Sequence, residues 1–178
     1  MGKTIFMPIV ALVLACVLLL GGYNGLQGIR AEKEAAELNG KLQTLLPGST
    51  TFTEEAYTGD DANIRTTYKS ENGYVVYTVT DGYAGKIAML VGVSNEGSVT
   101  GLQIREMSET YGLGGEALTN VDFLKQFLNT KGDAQVGENV DALTGATVTS
   151  KAVARSVNSA VAFVTGADID SSASEWGG

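Results

Sequence analysis

The chain has 178 residues, 44% hydrophobic content and a formal charge of −8, enough for one packed domain with an appendage and too little for a second large one. An acidic surface with no basic cluster repels phosphate backbones, so the composition argues against a nucleic-acid partner. The absence of histidine and the single cysteine, Cys16, remove the usual general base, the Ser and Cys triads, the internal disulfide and the common metal-ligand sets, and leave a carrier or binding protein that borrows any redox group it uses.

Residues Thr4 to Tyr23 read "TIFMPIVALVLACVLLLGGY", and no charge falls between Lys3 and Arg30. That run predicts a single membrane span, and residues 1–25 are assigned as an anchor in the lipid bilayer. A cleaved signal peptide would need a small-residue cleavage site ahead of the polar part, and a lipoprotein cysteine at Cys16 would leave "VLLL" exposed; retention of the anchor is the reading taken. The short charged head is placed inside and the domain on the outer face of the cell membrane.

Residues 26–48 follow as a stalk helix with apolar residues at Ile29, Ala36, Leu38, Leu42 and Leu45, stopped by Pro47-Gly48. Residues 49–167 form the main domain. In it "GYVVYTVTDGY", "KIAMLVGVSNEG" and "SVTGLQIREM" carry β-branched and aromatic residues between turn signals and predict an antiparallel sheet. "VDFLKQFLNT" spaces Val121, Phe123, Leu124, Phe127 and Leu128 on one helical face, and the stretch from Val148 to Thr165 repeats the pattern with Val153, Val157, Val161 and Val164. The fold class is therefore α+β, an N-terminal transmembrane helix followed by an antiparallel sheet packed with helices. Residues 168–178, acidic and Ser/Gly-rich, are read as a flexible tail.

The stretch "DALTGATVTSKAVARSV", Asp141 to Val157, puts three threonines, Ser150 and a glycine where a turn opens into a helix. Gly145 permits a tight turn, so Thr147, Thr149 and Ser150 fall at or beside a helix N-terminus, where unpaired N–H groups and the dipole favour a phosphate. Two uses remain open at this point: the hydroxyls cap the helix, or the turn holds a phosphoryl group. A triphosphate loop fits poorly, because Lys151 follows Ser150 with no second glycine ahead of it.

"DALTGAT", Asp141 to Thr147, resembles the Asp-x-x-Ser/Thr-Gly-Ala-Thr flavinylation signature of the RnfG/NqrC FMN-binding family. Two further stretches are similar to that family. "SETYGLGGE" matches its Glu-Thr-Pro-Gly-Leu-Gly segment through Glu109, Thr110, Gly112, Leu113 and Gly114, with Tyr111 in place of proline, and "DGYAGKI" matches its Gly-Tyr-x-Gly-Pro-Ile turn through Gly82, Tyr83, Gly85 and Ile87, with Lys86 in place of proline. The similarity runs from the anchor to the last helix, and the compact length resembles RnfG more than the longer NqrC.

The resemblance implies FMN bound through a phosphoester to Thr147. Asp141, Leu143, Thr144, Gly145 and Ala146 would form the signature around it, Val148, Thr149 and Ser150 would lie beside the phosphate, and Tyr83, Glu109, Thr110, Leu113 and Gly114 would lie near the flavin. It also implies a place among the other subunits of the Rnf complex, which couples electron flow between reduced ferredoxin and NAD to movement of sodium ions or protons. Because a threonine hydroxyl is a poor nucleophile and no histidine activates it, the family's maturation partner is expected here too: a magnesium-dependent, ApbE-like flavin transferase that takes FAD and releases AMP. The chain would be an electron-transfer subunit rather than an enzyme alone. The alternative is an anchored, non-redox sensor or assembly module of related fold; a stand-alone flavin reductase finds no nicotinamide site in the sequence.

Overall fold

A computed structural model describes residues 32–107 and 119–167. The predicted anchor over 1–25, the tail over 168–178, and Glu109, Thr110, Leu113 and Gly114 lie outside the described residues, among which no helix is long and apolar enough to cross a membrane. The chain divides into two compact units, residues 1–40 and residues 41–178. Residues 32–40, the described part of the first, are helical.

In the second unit a helical turn over 41–45 stops before Pro47, and Leu42, Leu45 and Leu46 are buried. Five strands follow as an antiparallel meander in sequence order: β1 (Thr53–Ala56), β2 (Ile64–Ser70), β3 (Gly73–Asp81), β4 (Lys86–Ser94) and β5 (Val99–Met107). The three segments predicted as strands become β3, β4 and β5. Neither β1 nor β2 was singled out from the sequence, and every residue of β1 is exposed, so it has no buried face to mark it.

β4 is buried almost end to end, because layers cover both of its faces. Ile87, Met89, Val91 and Val93 share a core with Val153, Val157 and Val161 of the long helix Thr147–Thr165, as the period of two demands. On the opposite face the turn at 41–46 lies directly on the sheet. Gly92 and Gly101 make room for it: a methyl group built on Gly92 would run into the Leu45 carbonyl oxygen, which instead accepts a 2.6 Å hydrogen bond from Thr100 Oγ1.

The long helix has the predicted apolar face and ends at Gly166, whose φ of 68° closes the last turn with a 2.8 Å bond from its N–H to the Ala162 carbonyl. The other predicted helix is shorter than its periodicity. It covers only Val121–Lys125, capped by the Asn120 side chain, which accepts from the N–H groups of Asp122 and Phe123. Irregular turns carry the chain onward to Asn129 at φ 66°. Phe123 and Phe127 stay in the core as an edge-to-face pair 5.2 Å apart. Val121, 59% exposed, and Leu128, 36% exposed, do not.

Candidate functional site

The long helix runs antiparallel to β3. The Thr80 hydroxyl meets the Ala152 carbonyl at 3.2 Å and Ser156 Oγ at 3.0 Å, while at the other end the rings of Tyr74 and Phe163 are 5.3 Å apart. The β3–β4 turn at residues 82–85 therefore lies at the same end of the sheet as the helix start, Thr147. β5 also finishes there, since Met107 pairs with Ile87. The fold thus brings Tyr83, the exit of β5 and the Asp141–Ser150 stretch to one edge of the domain. Tyr83 is 70% exposed on a turn closed by the 2.8 Å bond from Gly82 N–H to the Gly85 carbonyl and by the 3.1 Å Lys86–Asp81 ion pair.

The turn before the helix is built by short-range hydrogen bonds. The Ala146 N–H donates to the Leu143 carbonyl at 2.9 Å, and Gly145, third of the four residues, has φ 76°, the left-handed position that a type II turn reserves for glycine. The Ser150 hydroxyl donates to the Ala146 carbonyl at 2.9 Å and accepts the Leu143 N–H at 3.1 Å. Leu143 packs its side chain on the core. Upstream, Asp141 is held by its backbone: its N–H donates to Gln126 Oε1 at 2.8 Å, and Gln126 Nε2 donates back to its carbonyl at 3.5 Å. Gln126 was absent from the residues read from the sequence, and nothing local marks it, because its partner is a backbone amide on a distant loop.

These bonds separate the four hydroxyls. Thr149 and Ser150 are buried, and the Ser150 hydroxyl is spent on its own turn. Thr144 and Thr147 are exposed, and neither makes a side-chain hydrogen bond among the described residues. The cap itself is Ala146, the helix has no side-chain cap, and its first turn holds no acidic residue. No side chain caps the helix at Ala146, so the exposed Thr144 and Thr147 hydroxyls are not spent on capping. What remains is an uncapped, positively polarised helix end with a solvent-facing oxygen on its first residue. That donor set fits a phosphate monoanion or its ester.

Ser150→Ala is expected to leave the half-buried Leu143 N–H without its partner and to cost about 1 kcal/mol, the usual net worth of such a hydrogen bond. A lowered urea midpoint with an unchanged slope is the measurement that shows it; a midpoint equal to that of the parent protein would mean that the turn does not depend on this hydroxyl.

An open groove of about 420 Å³ lies elsewhere, along β5, where Val121, Leu124 and Leu128 face Leu102 and Thr44. None of the described candidate site residues lines it.

Residues 82–162 match the FMN-binding domain family, a span that contains the Tyr83 turn and the whole Asp141–Ser150 stretch. The chain is 34% identical to the G subunit of the ion-translocating oxidoreductase complex of Methanosarcina acetivorans, with 91% of this chain and 93% of that protein covered. It is 38% identical to the G subunit of the Na⁺-translocating ferredoxin:NAD⁺ oxidoreductase complex of Acetobacterium woodii, over 52% of this chain and 51% of that protein. It is 41% identical to the G subunit of the proton-translocating ferredoxin:NAD⁺ oxidoreductase complex of Clostridium ljungdahlii, over 52% and 53%. The matches to the last two span about half the length of those relatives.

Proposed function

Since the chain belongs to the G-subunit family of ion-translocating oxidoreductase complexes, we propose that it is an FMN-carrying electron-transfer subunit of such a complex, with the flavin attached by a phosphoester to Thr147. The observation that carries this reading is the state of Thr147: exposed, without a side-chain hydrogen bond among the described residues, and first in a helix with neither side-chain cap nor acidic first turn. When bound, FMN supplies one- and two-electron transfer that no side chain of this protein can provide.

Attachment is a phosphoryl exchange. The Thr147 Oγ–P bond forms on the FMN phosphorus of FAD as the pyrophosphate P–O bond breaks, AMP leaves, and the hydroxyl proton passes to a base. With no histidine in the chain, a flavin transferase supplies that base and the metal ion. This protein's own contribution is positional. Gly145 and the Leu143–Ala146 bond turn the backbone so that Thr147 projects from the helix start, and Ser150 fastens the turn from beneath. Backbone N–H groups at the first helical residues would hold the phosphate.

In this reading Tyr83, Glu109, Thr110, Leu113 and Gly114 approach the flavin, residues 1–25 anchor the domain in the membrane with the FMN on the outer face, and the other complex subunits are its redox partners. A covalent bond would keep the cofactor where free FMN could not replace it. The coupled electron flow between ferredoxin and NAD, with sodium ions or protons as the translocated ion, is carried by the assembled complex and not by this chain alone.

The test is a denaturing gel of the full chain co-expressed with and without a flavin transferase. Flavin fluorescence should stay on the polypeptide band only when the transferase is present. Flavin that runs off the band would make the cofactor dissociable, and a dark band from a protein that binds no flavin in either state would favour the non-redox sensor or assembly module.

A further inference from the structure

The long helix carries two cations whose charges are unspent. Lys151 and Arg155 sit one and two turns after Thr147, at i+4 and i+8, and both are half-buried. Neither is in an ion pair among the described residues, where the pairs are Lys86–Asp81 and Lys125–Asp122. Arg155 Nε is buried without a hydrogen-bond partner among those residues. The other described cations without an ion pair are exposed, so these two, half-buried and a turn apart on one helix, are the ones placed to take an anion from outside.

Helix geometry says where that anion would lie. Residues four apart share a face, and every Cα–Cβ bond tilts toward the helix N-terminus, so the Lys151 stem leans back over the turn that bears Thr147. The first turn offers no acidic residue to intercept it.

Resting on the attachment of FMN at Thr147, we propose that Lys151 is a positioning residue for that reaction: its ammonium draws the anionic phosphate of the flavin nucleotide to the Thr147 hydroxyl and stays paired with the phosphodiester afterwards. Arg155, a turn behind, adds to the local positive field. The pair offsets the repulsion that a protein of net charge −8 exerts on an anionic donor.

The experiment measures the initial rate of FMN incorporation from FAD by purified transferase into the full chain and its Lys151→Ala, Lys151→Glu and Lys151→Arg variants, at low and high salt. Loss of one half-buried, solvent-reached ionic contact predicts a rate about five-fold lower for Lys151→Ala, and added repulsion predicts about twenty-fold lower for Lys151→Glu. Lys151→Arg should restore the rate, and the differences should shrink as salt rises. The ³¹P resonance of the attached phosphodiester should move in Lys151→Ala relative to the parent.

Equal labelling of the parent and Lys151→Glu at low salt overturns the role of Lys151 and leaves attachment at Thr147 intact. A rate that falls equally in all three variants, Lys151→Arg included, also overturns it and makes the lysine structural. No labelling of the parent overturns the attachment itself, and this proposal with it.

Discussion

Thr147→Ala, co-expressed with a flavin transferase, is expected to carry no flavin through denaturation, while the parent protein is labelled. The effect should be all or none, because the substitution deletes the oxygen that forms the ester. It should also leave the fold intact. Thr147 is exposed and makes no side-chain hydrogen bond among the described residues, so its replacement belongs with surface changes worth about ±0.5 kcal/mol, and alanine is the better helix former. A melting temperature matched to the parent would then assign the lost label to chemistry, not to unfolding. Label retained on Thr147→Ala would move the ester to another hydroxyl, with Thr144 the exposed candidate nearest in sequence.

Gly145→Val should be the second largest change. Gly145 has φ 76°, where a β-branched residue is an outlier, and forcing it there costs about 1–3 kcal/mol. The strain falls on the turn that sets the direction of Thr147. Relaxing it pulls the Ala146 N–H from the Leu143 carbonyl and disturbs the Ser150 hydroxyl that accepts the Leu143 N–H. A labelling rate at least ten-fold below the parent is expected, together with a lower urea midpoint. Gly145→Asn should be milder, since asparagine tolerates the left-handed region. Parent-like labelling of Gly145→Val would show that the transferase reads the signature without this turn.

The parts of the fold that were legible in the sequence are those whose residues carry their own pattern. β3 and β4 show β-branched and aromatic runs between turn signals, and the long helix repeats valine at 153, 157, 161 and 164. β1 could not be found that way, because Thr53–Ala56 is wholly exposed and contributes only an edge. The face drawn through Val121 and Leu128 failed for a related reason: Phe127 reaches the core from a non-helical turn, so the apolar spacing outlasts the helix.

The candidate site was legible in its residue types and not in its wiring. The signature marks the turn and Thr147, yet which hydroxyl faces solvent is decided by the Ser150 bonds and the burial of Thr149. The loop that brings Asp141 into place hangs on amide side chains far along the chain. Gln126 clamps Asp141, and Asn158 accepts from the Ala134 N–H at 3.1 Å and donates to its carbonyl at 3.0 Å. A lone Gln or Asn carries no sign of a backbone partner that only the fold supplies.

Fragmentation mass spectrometry of one tryptic peptide tests the central claim most directly. Cleavage after Lys131 and Lys151 releases Gly132 to Lys151, which holds Thr144, Thr147, Thr149 and Ser150 together. From protein matured by a flavin transferase, this peptide should gain the mass of FMN less water, with the added mass on Thr147. An unmodified peptide under those conditions, or the mass on a different hydroxyl, would contradict the account.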